Sequence, residues 1–140
     1  MQGVTTVKEA VGFHGHLGPY LILGVKAGEL ALRKLKAKKY FGMQIKVWGA
    51  AEKPKSCLID GLQLSTGATY GKGNICKVSP GGRIRVMVKA EGSCKKIEIT
   101  LKKDLAKVLE ALKSHKDSED YARKLYRQDP EGLFDLRYRL

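Results

Sequence analysis

From Pro19 to about Lys38 the apolar side chains Leu21, Ile22, Val25, Leu32 and Leu35 recur at helical spacing, with Pro19 at a natural first helical position. Gly24 and Gly28 lie four apart on one side of this helix. Each weakens a helix by roughly 1 kcal/mol against alanine, so the pattern predicts close approach of another backbone there. A shorter helix is predicted over Thr6–Gly12, capped by Thr5 or Thr6 with Glu9 near its start, and Phe13–Gly18 is read as a bend. Strict alternation then marks strands. Met43–Ala50 puts Ile45 and Val47 on one face and Lys46 and Trp48 on the other. Arg83–Ala90 and Lys96–Leu101 alternate likewise and are joined by Glu91-Gly92-Ser93, which predicts a hairpin.

Between these strands, Lys53-Pro54-Lys55 is a break, and Ser56 is placed to cap a helix from Cys57 to about Ser65 that Gly67 stops. Thr66–Asn74 reads as a loop, Ile75–Val78 as a short strand and Pro80-Gly81-Gly82 as a turn. Helical spacing returns from Leu101 to Ser114, a charged helix follows over Asp117–Arg127, and Asp129-Pro130-Glu131 starts a last turn. Phe134-Asp135-Leu136 then leads into a short basic terminus. The order predicts an α+β fold over residues 1–140 as one domain. It has a mixed or mainly antiparallel sheet, a long N-terminal helix, and C-terminal helices packed on the sheet or across a subunit boundary.

Composition narrows the functional classes. A 43% hydrophobic content suits a globular chain, and the longest mostly apolar stretch, Leu17–Leu23, is too short to cross a bilayer. No leader-like segment opens the sequence, so the expected location is the cytoplasm. Lys and Arg number 27 against 14 Asp and Glu, a net charge of +13 that attracts polyanions. The cations are scattered, without the interleaved aromatics that stack bases, which argues for a solvated surface over a nucleic-acid site. Three widely spaced cysteines make neither a disulfide framework nor a paired zinc module. Cys76 and Cys94 are read as buried small residues.

Chemistry concentrates in two segments. His14 and His16, in an extended bend flanked by Phe13 and Leu17, point to one side; they form half a metal site or a pair bonded to backbone. Cys57 heads a helix near lysines, a setting that lowers a thiol's pKa, and Asp60 follows one turn later; the alternative for Cys57 is a buried small side chain. Gly71-Lys72-Gly73-Asn74 suits an anion cradle or an ordinary turn, and Thr66 and Thr69 add hydroxyls. Candidate metal ligands are therefore His14, His16 and Cys57; candidate catalytic groups are Cys57 and Asp60; candidate anion-binding groups are Thr66, Lys72 and Asn74.

Taken together, Phe13-His14-Gly15-His16-Leu17-Gly18-Pro19, Cys57-Leu58-Ile59-Asp60-Gly61-Leu62-Gln63 and Ser65-Thr66-Gly67-Ala68-Thr69-Tyr70-Gly71-Lys72-Gly73-Asn74 resemble the FmdE family of formylmethanofuran dehydrogenase subunits. The resemblance extends to Leu133-Phe134-Asp135-Leu136-Arg137. It implies an α+β protein, often a homodimer, with a metal, usually zinc, near His16 and Cys57, then His14, with Asp60 close by. It also implies one-carbon metabolism and other formylmethanofuran dehydrogenase subunits as partners, without assigning this chain a reaction. Ala68 stands where the family often has cysteine, and no cysteine follows Cys94 to build the zinc-ribbon segment of longer members. The function expected is a metal-binding accessory protein. The alternatives are a small-molecule or anion-binding module without obligatory metal and, behind it, a nucleic-acid binder.

Overall fold

Thr6 opens the first helix, α1 (Val7–His14), by a reciprocal cap: its hydroxyl accepts from the Glu9 amide while the Glu9 carboxylate accepts from the Thr6 amide. In this computed structural model, which describes residues 4–78 and 81–140, α1 runs past Gly12. It ends where Gly15 takes a left-handed conformation, φ 102°. Gly12 has open space around it and no positive φ, so nothing there forces a stop. His14 therefore sits in the last turn of a helix, not in an extended bend.

Pro19 starts α2 (Pro19–Leu35), which closes at Leu35 because Lys36 turns left-handed and returns its amide to the Arg33 and Leu32 carbonyls. β1 (Met43–Trp48) follows, then α3 (Cys57–Thr66), β2 (Ile75–Val78), β3 (Arg85–Ala90) and β4 (Lys96–Leu101). Ser56 does not cap α3. It is already right-handed and makes no side-chain cap bond, because turns from Glu52 onward feed straight into the helix. The expected turn at Pro80 lies partly outside the described residues. The C-terminal elements are α4 (Lys103–Glu110), α5 (His115–Arg127) and a strand, β5 (Phe134–Arg139). Leu101 belongs to β4 and pairs with Phe134, so α4 starts later than its apolar spacing predicts. Ser114 caps α5, accepting from the Asp117 amide.

The strand order is β2-β1-β3-β4-β5, with β1 and β2 parallel and every other neighbour antiparallel. The protein is thus α+β with a mixed sheet. Met43, Ile45, Val47, Val86, Val88, Ile97, Ile99 and Leu101 point to the covered face and are buried. On the other face register sets Lys89, Lys96 and Arg139 side by side. α2 packs on β3 and β4, and α3 lies along α2. The expected placement of the C-terminal helices is corrected for α5: its main neighbour is α2, where its narrow apolar stripe, Ala122 and Leu125, is fully buried. α2 is buried almost all round, so it offers apolar surface to α5 as well as to the sheet.

The glycine pair explains how α2 and α3 touch. A Cβ built on Gly24 would lie 2.0 Å from the Leu58 carbonyl oxygen, and one on Gly61 would lie 2.1 Å from that of Leu21. The two backbones meet with no room for a methyl group. This seam fixes where α3, and with it Cys57 and Asp60, sits relative to the rest of the fold.

Candidate metal centre and adjoining pocket

The left-handed turn at Gly15 folds His16 back over His14, with ring centroids 4.7 Å apart and the planes tilted by 53°. α1 also touches α3, and the contact brings His14 Nδ1 within 2.6 Å of Asp60 Oδ2. A carboxylate accepts from the ring, so Nδ1 is the donating nitrogen, which leaves the Nε2 lone pair for a metal in the neutral ring. That Nε2 is buried and has no hydrogen-bond partner among the described residues. One ligand atom each from His14, His16 and Cys57 lies within 4.8 Å of the other two. The span is slightly over twice a zinc–ligand bond of about 2.0–2.3 Å, within reach of small side-chain rotations.

The residues fit a metal. The donors are two imidazole nitrogens and a sulfur, a set suited to zinc, and a carboxylate behind one imidazole is a common outer partner of metal-ligating histidine. The thiol departs from expectation. Burial pushes the Cys57 pKa up and the Asp60 charge pushes it further, while the Lys53 charge and a backbone hydrogen bond at Cys57 oppose them without prevailing. The predicted lowering fails because desolvation of a thiolate outweighs the nearby cation. Lys55, the other lysine of the break, faces Glu110 at 3.7 Å.

Phe13 does not bury the flank of the bend; it is 54% exposed, whereas Leu17 is buried. Cys76 and Cys94 are exposed rather than buried. Cys76 instead joins Cys57 in lining a pocket of about 570 Å³ that opens beside His14 and Asp60. Its other walls include Ile59, Ile75 and Tyr70, with Lys53, Gln63 and Lys77 as further polar lining. The motifs do not single these out. Gln63 was traceable, since it follows Asp60 as Asp60 follows Cys57, at a helical step of three. Lys77 and Cys76 reach the pocket through the pairing of β2 with β1, which no local spacing encodes.

The three residues assigned to anion binding lie elsewhere than this pocket. Thr66 is buried; its hydroxyl donates to the Leu62 carbonyl at 2.6 Å and accepts from the Ala68 amide. Asn74, also buried, accepts from the Thr69 amide and donates to the Tyr40 carbonyl. Both side chains tie the loop to its neighbours. Lys72 is exposed, donates to the Thr69 hydroxyl at 3.2 Å, and stands 5.6 Å from the centre of the Phe41 ring.

A mixed-sheet α+β scaffold with a clustered His-His-Cys donor set at a cleft defines the class. The chain belongs to the FmdE family, described as FmdE, molybdenum formylmethanofuran dehydrogenase operon, whose match runs over residues 13–136. A curated protein of Archaeoglobus fulgidus, described as a probable S-adenosyl-L-methionine-binding protein, is 32% identical over 81 residues. That stretch is 55% of this chain and 21% of the relative, so the chain spans only about a fifth of the curated protein it matches.

Proposed function

We propose that this protein is a metal-binding accessory member of the FmdE family, holding one zinc ion through His14, His16 and Cys57 with a coordination position open to the pocket. The observation that carries the reading is His14 Nε2, buried without a partner among the described residues while Nδ1 is committed to Asp60. A buried polar atom left unpaired costs about 1–3 kcal/mol, and a cation at that spot removes the penalty. Zinc held by three protein ligands supplies Lewis-acid polarisation of whatever occupies the fourth position. Asp60 orients the His14 ring, and Cys57 contributes thiolate once a cation offsets its burial. Service in one-carbon metabolism beside formylmethanofuran dehydrogenase subunits, and association with a second copy, belong to the same proposal. The operon named by the family supports the first, and sedimentation of the purified protein tests the second.

Elemental analysis of protein purified without chelator or nickel resin decides the metal. About one zinc per chain is expected, falling well below that in Cys57→Ala and in His14→Ala. Unchanged zinc in both variants would sink the reading. A second reading, a small-molecule module that needs no metal, is favoured by the size of the pocket and by the description of the Archaeoglobus fulgidus relative. Stabilisation of metal-free protein by S-adenosyl-L-methionine, with no response to zinc, selects it.

A further inference from the structure

Resting on the zinc reading, we infer that the pocket beside the metal cluster receives a small organic anion. One end lies toward His14 and Cys57, and its charged end lies between Lys53 and Lys77.

The cavity, about 570 Å³, has the size of a metabolite site. Its lining divides into three zones. One is His14 and Cys57 of the donor cluster with Asp60, whose carboxylate is already engaged by His14 Nδ1 at 2.6 Å. The second is apolar, formed by Ile59, Ile75 and the ring of Tyr70. Tyr70 is 87% exposed, yet its loop is pinned, its amide donating to Gln63 Oε1 at 3.0 Å. Tyr70 thus lines the cavity with most of its surface left for a ligand to cover. The third zone is Lys53 and Lys77, neither of which makes an ion pair among the described residues.

The charge count then selects the ligand. With Asp60 committed, the remaining fixed charges on the lining are two ammonium groups, so a ligand carrying negative charge is favoured over a neutral or cationic one. The start of α3 does not add amide donors. Cys57, Leu58 and Ile59 give their N–H groups to the carbonyls of Pro54, Lys55 and Ser56. Recognition therefore rests on lysine point charges rather than a planar fork, which accommodates a carboxylate or a phosphate. Because both lysines are exposed, their contribution weakens with added salt.

The test uses cobalt-loaded protein, whose visible absorption reports the metal's surroundings, titrated with 4-phenylbutyrate, phenyl phosphate and the neutral 4-phenylbutanamide. One or both anions are expected to bind at least about tenfold more tightly than the amide, and whichever does names the anionic group. A Lys53→Ala/Lys77→Ala double variant is expected to keep its cobalt and lose that preference. Equal affinity for anions and amide, no binding at all, or a preference that survives the double variant would each overturn the assignment, the last because the anion would then be held by the metal alone. Protein that takes up no cobalt but still selects the anion, followed by calorimetry, overturns the zinc reading and leaves the anion pocket standing.

Discussion

The two nitrogens of His14 are in different situations. Asp60 accepts from Nδ1, and Nε2 is buried with no hydrogen-bond partner among the described residues. Asp60→Asn keeps the shape but removes the charge that favours a donating Nδ1. Zinc affinity is expected to drop about 10–100-fold, as for other outer-shell partners, measured by competition with a chromogenic chelator. Undiminished affinity would show that Asp60 plays no part in the site. At this scale the sequence displayed the right residue types, since two histidines, a cysteine and an acid in short motifs are chemically conspicuous. It misjudged the thiol's environment, because the sign of a pKa shift depends on how much water surrounds the group, and local spacing does not record that. Thr66 and Asn74, read as anion-binding groups, are turned to the loop instead of lining the pocket for a related reason. A polar side chain in a glycine-rich loop serves the loop's own backbone whenever burial leaves amides and carbonyls to satisfy.

The helices are positioned by a glycine seam and tied by a polar one. Gly61→Ala improves intrinsic helix propensity by about 1 kcal/mol, but its methyl would meet the Leu21 carbonyl oxygen at 2.1 Å. Backbone cannot yield as a flexible side chain does, so overpacking prevails. A net loss of about 1–3 kcal/mol is expected from denaturant unfolding, with weaker zinc binding as α3 shifts; a stabilised variant would contradict the close contact. Near the other end of α2, the Thr5 amide donates to Glu29 at 2.6 Å, while Tyr126 on α5 donates its hydroxyl to the Thr5 carbonyl at 2.7 Å. Burial raises the Glu29 pKa above its ordinary 4.5, despite the Thr5 amide and the Lys26 charge, which both pull it down. The folded state therefore holds this proton more tightly than the unfolded state. Its contribution to stability is complete below 4.5 and is lost as pH rises through the raised value. Glu29→Gln is expected to flatten that portion of the stability–pH curve, followed by thermal unfolding in a buffer series. The paired strands β3 and β4 were legible because alternation and an intervening turn encode a hairpin locally. β5 carried alternation too, Phe134, Leu136 and Tyr138 against Asp135, Arg137 and Arg139, but its basic residues made it read as a tail.

Across the whole molecule, that last strand closes the sheet edge beside β4 and drives Phe134 into the core. Phe134→Ala is expected to destabilise the protein by about 3–5 kcal/mol, read by denaturant unfolding, whereas a frayed tail would leave stability unchanged. No helix among the described residues is long and apolar enough to cross a membrane. The net charge of +13 is distributed unevenly by pairing: Lys89, Lys96 and Arg139 come from three separate segments and meet only as neighbours in the sheet. Apolar periodicity with the caps and stops at Thr6, Pro19 and Gly67 specified most of the helices and the β3–β4 hairpin, because those preferences are settled within a turn or two of chain. The motifs also announced nitrogen and sulfur donors. Tertiary packing alone decided that the end of α1 faces the start of α3, and that β2 delivers Lys77 and Cys76 to the same cleft. It also decided that desolvation outweighs a nearby lysine at Cys57. These outcomes depend on distances between residues far apart in the chain, set by backbone contact at Gly24 and Gly61 and by strand register, and no local pattern contains them.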